Sequence, residues 1–122
     1  MAKKILLIED EPDIRKITKI RLQKKGYEID EAENGKEALD KLRAKHYDLL
    51  LIDISMPVMS GEELCKEIQK DEKLKAIPSM VFTASAITNP EELVKQLQVK
   101  DYIIKPYEPE DLLNKVAKLL GE

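Results

Sequence analysis

The sequence has few aromatic residues: four tyrosines, one phenylalanine and no tryptophan among 122 residues. Proteins that hold single-stranded nucleic acid by stacking its bases need aromatic platforms. A basic stripe is also missing, because the 21 lysines and arginines are interspersed with 24 aspartates and glutamates. The composition therefore predicts no nucleic-acid partner.

Cysteine and histidine occur once each, as Cys65 and His46. A single cysteine cannot form an internal disulfide, and this pair cannot supply the ligands of a zinc site. A reducing, cytoplasmic setting is therefore expected. Cys65 lies in an apolar helical pattern and is predicted to be a core residue, whereas His46 is predicted to be an ordinary surface residue.

Long apolar runs are absent as well. The run that follows the basic N-terminus extends only from Ile5 to Ile8, which is too short for a signal peptide or a membrane span. We therefore expect no membrane insertion. The motifs G-x-G-x-x-G, Walker A, G-x-S-x-G and H-E-x-x-H are missing too, so the sequence gives no signal for a nucleotide-binding loop, a serine hydrolase or a zinc protease.

What remains is the composition of a globular protein, with 43% hydrophobic and 37% charged residues. The length predicts one domain over residues 1–122. Apolar runs without alternation are typical of strands covered on both faces, as in parallel sheets. Such runs occur at Ile5–Ile8, Leu49–Ile52, Met80–Phe82 and Tyr102–Ile104. The segment 27–30 alternates instead, which indicates an edge strand.

Amphipathic segments with helical spacing separate these runs. The clearest apolar stripe comprises Leu112, Leu113, Val116, Ala117 and Leu120. Helix starts are predicted at Ser60-Gly61, Asn89-Pro90 and Pro109, and a helix end at Gly26. The order is (βα)₅, which predicts an α/β fold: a doubly wound, five-stranded parallel sheet of the flavodoxin-like type. Strand order 2-1-3-4-5 is favoured because it places the alternating second strand at an edge.

Charged and polar side chains follow four of the predicted strands. Glu9 and Asp10 follow the first strand, Asp53 the third, Thr83 the fourth and Lys105 the fifth. Ligands of open parallel sheets bind beyond the carboxyl ends of the strands. Because strands 1 and 3 are neighbours in the favoured order, the three acids are expected to converge on one pocket.

Three carboxylates in one pocket repel one another unless protons or a cation offset their charge. Oxygen ligands of this kind suit Mg²⁺, which takes one or two carboxylates together with water and phosphate oxygens. A metal ion and the Lys105 ammonium would neutralise a phosphoryl group at this place, and the Thr83 hydroxyl could donate a hydrogen bond to it. The residues therefore predict Mg²⁺-assisted phosphoryl chemistry.

Four segments carry a resemblance to a known family. They are ILLIEDEP at 5–12, IDISMPVMSG at 52–61, FTA at 82–84 and DYIIKP at 101–106. Together they resemble the motifs of CheY-like receiver domains of response regulators, which act in two-component and phosphorelay signalling. The resemblance extends over essentially the whole chain.

The resemblance implies a role for each of these acids. Asp53 would be the phosphoacceptor and also a ligand of Mg²⁺, and Asp10 would bind the ion directly. Glu9 would bind the ion mostly through water, and the backbone carbonyl of Ser55 would be a further ligand.

The resemblance also implies how the phosphoryl group is bound and how its binding changes the conformation. Thr83 and Lys105 would hold it, and Tyr102 would be the aromatic residue that changes rotamer on activation. The Lys105–Pro106 peptide bond would be cis, as is common in the family. The resulting change would alter partner binding through the face made by the fourth helix, the fifth strand and the fifth helix.

The implied function is that of a switch, a phosphoprotein that assists its own phosphorylation and dephosphorylation and is not a turnover enzyme. Its phosphodonor would be a histidine kinase or a histidine phosphotransfer protein. The alternative is an inert receiver that is never phosphorylated and serves only as an interaction module. The kinase, the output target and the surrounding protein, if the chain is part of one, cannot be predicted from the sequence.

Two other protein classes, a phosphatase and a flavin-binding protein, fit the sequence less well than a receiver domain does. A haloacid-dehalogenase-type phosphatase needs a second aspartate two residues after its nucleophile, and that position holds Ser55. A flavodoxin needs a first loop that cradles phosphate, whereas Glu9, Asp10 and Glu11 would repel it.

Overall fold

Five parallel strands form one sheet in the order β2-β1-β3-β4-β5. The computed structural model describes residues 2–54, 56, 58–84 and 89–122. The strands are β1 Lys4–Ile8, β2 Glu28–Ala32, β3 Leu49–Asp53, β4 Ser79–Ala84 and β5 Asp101–Lys105. This is the predicted flavodoxin-like order, and the alternating segment does form an edge strand.

The central strands are buried because helices cover both faces of the sheet. Successive residues of a strand point to opposite faces, so Ile5 and Leu7 of β1 lie in one core cluster while Leu6 and Ile8 lie in the other. β3 divides in the same way. Both faces therefore need apolar side chains, which explains the unbroken apolar runs in the sequence.

Six helices are found within the described residues. They are α1 Pro12–Lys24, α2 Gly35–Ala44, α3 Gly61–Gln69, α4 Glu72–Lys75, α5 Pro90–Leu97 and α6 Pro109–Leu119. Buried residues of α2, α3 and α5 cover one face of the sheet, and those of α1 and α6 cover the other. No helix in the described part of the chain combines the length and apolar character needed to cross a bilayer.

The short helix α4 is an addition to the predicted (βα)₅ order. It has four residues, of which only Leu74 is buried, and its first turn is capped by the Asp71 side chain. One apolar residue makes no periodic pattern, so this helix could not be predicted from the hydrophobic spacing. The predicted fourth and fifth helices are therefore α5 and α6.

The predicted helix boundaries are confirmed by their capping bonds. The Ser60 side chain accepts a hydrogen bond from the Glu63 amide, and the Asn89 side chain accepts one from the Glu92 amide. Each bond satisfies a backbone donor that has no partner within its helix. Gly26 follows α1 with φ +93°, a conformation that glycine adopts without a Cβ penalty.

The two scarce residues lie where the sequence predicts them. Cys65 is 3% exposed and packs in the core between α3 and the sheet. The His46 side chain is 79% exposed. His46 lies beside Asp48, which precedes β3, at the opposite end of that strand from Asp53.

Candidate functional site

Three carboxylates meet at the carboxyl ends of β1 and β3. Ile8 pairs with Ile52 in the register of these strands, so the residues that follow, Glu9 and Asp53, emerge side by side. One carboxylate oxygen from each of Glu9, Asp10 and Asp53 lies within 4.8 Å of the others. The structure thus brings together the three acids that the sequence predicts to converge.

Burial makes this arrangement costly without a counter-charge. Glu9 is 1% exposed and Asp53 is 5% exposed, while Asp10 is half-buried. Burial, followed by the charge of Glu9, raises the pKa of Asp53 from 3.8 to about 7, and the nearby Lys105 ammonium offsets part of the rise. The pocket therefore favours binding of a proton or a cation, which would offset the negative charge of its carboxylates.

Lys105 supplies part of the missing positive charge. Its Nζ donates a hydrogen bond of 2.8 Å to Glu9 Oε2 and lies 3.3 Å from Asp53 Oδ2. Burial lowers the pKa of Lys105, but the hydrogen bond and charge of Glu9 together with Asp53 outweigh this and raise it overall. The sequence predicted Lys105 near Asp53 but not its closer contact with Glu9.

Thr83 lies at the same edge of the sheet. It is buried, and it follows Phe82, the β4 residue that pairs with Asp53. The next residue of β4 pairs with Lys105. Thr83 therefore stands between the strands that carry Asp53 and Lys105.

Tyr102 is half-buried on the face formed by α5, β5 and α6. Its hydroxyl lies 3.2 Å from a carboxylate oxygen of Glu91, and Lys115 Nζ lies 5.1 Å from the centre of its ring. The Lys105–Pro106 bond is cis, as the resemblance implied. The predicted metal contact from the Ser55 carbonyl falls outside the described residues.

The pocket has the ligand chemistry of a Mg²⁺ site. All three acids offer oxygen atoms, and Mg²⁺ binds oxygen at about 2.0–2.1 Å in an octahedron whose opposite ligands are therefore about 4.2 Å apart. Carboxylate oxygens within 4.8 Å of one another fit such an ion with small side-chain adjustments. Asp10 and Asp53 could bind it directly, and Glu9 through water.

Gly61 is a further residue of this site, which the sequence indicated as part of a helix start and as the last residue of the segment 52–61, with no role assigned to it. A Cβ at this position would lie 2.4 Å from the Asp53 carbonyl oxygen and 2.6 Å from Ile54 Cα. The Gly61 amide also donates a hydrogen bond of 2.9 Å to the Ile54 carbonyl. The first turn of α3 can therefore approach the end of β3 only because residue 61 has no side chain.

Replacing Gly61 with alanine is expected to lower the free energy of unfolding by about 2 kcal/mol, since overpacked sites typically cost 1–3 kcal/mol. It should also weaken Mg²⁺ binding, because the methyl group pushes against the backbone of Asp53. Chemical denaturation and calorimetric titration with Mg²⁺ measure the two effects. A variant as stable as the parent would contradict the close approach.

Val58 has an unusual backbone conformation in the loop that follows β3. Its φ is +70°, and the residue is 77% exposed. A β-branched residue pays a steric penalty in this region, of about 1–2 kcal/mol. Because the side chain is exposed, little packing is lost when it is changed.

Replacing Val58 with asparagine, which tolerates a left-handed backbone, is therefore expected to raise the free energy of unfolding by about 1 kcal/mol. Thermal and chemical denaturation measure this change. Val94→Asn, at a half-buried helical position of ordinary conformation, is the control and should be destabilising. An unchanged or less stable Val58→Asn variant would show that the loop stores no strain there.

The fold and the acidic pocket together define a class of signalling domain. The family model of the response regulator receiver domain matches residues 5–117. The chain therefore belongs to the response regulator receiver family of two-component signalling.

Relatives and solved structures agree with this assignment. The chain is 34% identical over 122 residues to the polar-differentiation response regulator DivK of Brucella ovis, covering all of this chain and 99% of that protein. It is 38% identical over 117 residues to the transcriptional regulatory protein ResD of Bacillus subtilis, covering 96% of this chain. The chain spans about half of ResD, 48% of its length.

A solved structure of the same family contains ligands. The response regulator TrrA from Thermotoga maritima, in complex with Mg²⁺-BeF, superposes on the chain with a TM-score of 0.79 at 39% identity. The match covers 96% of this chain and 98% of that one.

Proposed function

We propose that this protein is a phosphoacceptor switch in which Asp53 takes a phosphoryl group in a Mg²⁺-dependent reaction. The observation that carries the proposal is the placement of Asp53 among two other acids, with the Lys105 ammonium 3.3 Å from its Oδ2. The same proposal treats residues 1–122 as one receiver domain.

Asp10 and Asp53 would hold the metal, together with the Ser55 carbonyl and, through water, Glu9. When bound, Mg²⁺ would neutralise charge on the phosphoryl oxygens and orient the group for in-line transfer. The oxygen-only ligand set and the spacing of the three acids support this assignment. The Mg²⁺-BeF complex of TrrA, a relative of the same fold, also supports it.

The transfer itself is a substitution at phosphorus. A carboxylate oxygen of Asp53 forms the new P–O bond while the P–N bond of the donor phosphohistidine breaks, and the imidazole leaves with the bonding electron pair. Lys105 is within reach of the oxygens that gain charge, and Thr83 can donate a hydrogen bond to them. The products are an aspartyl phosphate and the free histidine of the donor protein.

The donor class follows from the family, in which histidine kinases or histidine phosphotransfer proteins supply the phosphoryl group. The reaction modifies Asp53 itself, so the protein is changed by each transfer and is not a turnover enzyme. Hydrolysis of the aspartyl phosphate would return it to the starting state.

The output would be a shift between two conformations that the protein already samples. A phosphoryl group adds about two negative charges beside Thr83 and Lys105. Movement of Thr83 towards it would leave room for Tyr102 to turn inwards and change the surface of α5, β5 and α6. The hydrogen bond to Glu91 and the contact with Lys115 hold Tyr102 in its present position.

Incubation with a small phosphoryl donor, such as acetyl phosphate or phosphoramidate, tests the proposal. We expect one phosphoryl group per chain in the presence of Mg²⁺ and none with EDTA, measured by intact mass and located on Asp53 by peptide mapping. A protein that binds Mg²⁺ but accepts no phosphoryl group would instead be an inert receiver. A protein that binds no Mg²⁺ would contradict the metal site itself.

A further inference from the structure

Arg15 reaches from the first turn of α1 to the loop that carries the acids. Its Nη1 donates a hydrogen bond of 2.8 Å to the carbonyl oxygen of Glu9. On its other sides, Nε lies 3.5 Å from Glu31 Oε1 and Nη2 lies 3.8 Å from Glu33 Oε1. The Arg15 side chain is only 14% exposed, whereas the Glu31 and Glu33 side chains are 35% and 67% exposed, so the guanidinium itself is buried while its carboxylate partners reach water.

The carbonyl that Arg15 contacts lies just beyond the last rung of the sheet. The paired residues of β1 end at Ile8, and the Glu9 amide still donates to the Ala32 carbonyl at 3.0 Å. The Glu9 carbonyl accepts its hydrogen bond from the Arg15 guanidinium. Both backbone groups of Glu9 are thereby held, one by the end of β2 and one by α1.

The side chain of Glu9 is held in turn by its own contacts. Its Oε1 accepts a hydrogen bond of 3.3 Å from the Glu11 amide, and its Oε2 accepts the bond from Lys105. The backbone and the side chain of Glu9 are thus both held by hydrogen bonds. Asp10 lies between Glu9 and Glu11 in the chain, so the hydrogen bond that joins these two residues spans it. A change in the direction of the Glu9 carbonyl would reorient Asp10.

Two features suit an arginine to this position. Its planar fork can donate in three directions at once, which a lysine ammonium on a flexible stem does not match. Its charge is also offset, because Glu31 and Glu33 lie on the side away from Glu9. Lys19 Nζ, 3.1 Å from Glu31 Oε2, fixes that carboxylate from the next turn of α1.

We propose that Arg15 is a positioning residue of the metal site, which sets the direction in which Glu9 and Asp10 present their carboxylates to Mg²⁺. The inference rests on the proposed function, because it takes Mg²⁺ binding by these acids as given. Residues that orient the ligands of a metal site typically change metal affinity about 10- to 100-fold when removed.

The sign of the change in affinity separates positioning from simple electrostatics. Removing a cation near an acidic pocket should strengthen Mg²⁺ binding if charge alone matters. Loss of positioning should weaken it. Arg15→Met is therefore expected to bind Mg²⁺ about tenfold more weakly than the parent protein, as measured by calorimetric titration of the full chain.

Lys19→Met is the matched control. It removes a cation from the same helix and from the same carboxylate, Glu31, but it does not touch Glu9. Its Mg²⁺ affinity should stay within about twofold of the parent at moderate salt, where surface charges are screened. Amide hydrogen exchange at Glu11 gives a metal-free readout and should be faster in Arg15→Met but not in Lys19→Met.

The outcomes are distinct. Equal or tighter Mg²⁺ binding by a folded Arg15→Met variant would overturn the role of Arg15. Absence of Mg²⁺ binding by the parent protein would instead overturn the proposed function. If Arg15→Met does not fold by circular dichroism, Arg15→Gln replaces it, since glutamine is polar and favours helix but cannot span the same distance.

Discussion

Replacing Asp53 with asparagine is expected to abolish phosphoryl acceptance while making the metal-free protein more stable above pH 7. The amide lacks the anionic oxygen that attacks phosphorus, so no aspartyl phosphate can form. Labelling with acetyl phosphate and Mg²⁺ measures this loss. Asp40→Asn, at an exposed position of α2, should label like the parent. Equal labelling of Asp53→Asn would show that another residue accepts the phosphoryl group.

The gain in stability follows from the raised pKa of Asp53. The pKa of this carboxyl is 3.8 in its ordinary state and about 7 in the folded protein, so the folded state binds the proton more tightly than the unfolded chain. The stability associated with that proton is complete below pH 3.8 and is lost as the pH rises to about 7.

Asparagine carries no charge at any of these pH values, so the variant does not lose this stability as the pH rises. The full pKa shift would correspond to roughly 4 kcal/mol at 1.36 kcal/mol per pH unit, which sets the upper limit of the gain. In urea denaturation without metal, the free energy of unfolding of the variant should therefore rise relative to that of the parent between pH 4 and pH 7. A difference in stability that is independent of pH would argue against a raised pKa at Asp53.

Replacing Lys105 with methionine is expected to slow phosphoryl acceptance about 10²-fold, the usual effect of removing one group that stabilises charge in a transition state. The ammonium lies 3.3 Å from Asp53, where it can neutralise the incoming phosphoryl oxygens. Methionine keeps most of the aliphatic packing and removes the charge. Initial rates of labelling at saturating Mg²⁺ measure the effect.

The same substitution should have the opposite effect on metal affinity. Lys105 and Mg²⁺ are both cations, so they repel each other and compete for Glu9 and Asp53. The loss of a nearby charge is worth roughly tenfold in affinity at close range. We therefore expect tighter Mg²⁺ binding with slower transfer. Lys70→Met, which breaks a surface pair of 3.0 Å with Glu67, should change neither. Weaker Mg²⁺ binding by Lys105→Met would mean that the lysine orders the metal ligands instead of competing with the ion.

The sequence predicted the sheet and its acids for a clear physical reason. Strands covered on both faces must be apolar throughout, so β1 and β3 appear as unbroken runs, and whatever follows them lies at the ligand-binding edge. Asp53 and the Glu9-Asp10 pair are therefore visible as an acidic site before any coordinates are known.

Contacts that depend on side-chain reach or on backbone atoms could not be predicted in this way. The bond between Lys105 and Glu9 joins residues at the ends of β5 and β1, which β4 and β3 separate in the sheet. The bond from Arg15 ends on a carbonyl, which every residue possesses. The need for glycine at position 61 arises from where α3 meets β3, and Leu74 alone cannot reveal the short helix α4.

The order of the charges along the chain has a consequence for folding. All three acids lie within the first 53 residues, at the ends of β1 and β3, which pair directly, whereas Lys105 belongs to the last strand. A ribosome releases the first half of a chain before the second. Until β5 joins the sheet, Glu9 and Asp53 therefore lack the ammonium group that offsets their charge, so the edge formed by β1 and β3 is more anionic than in the complete sheet.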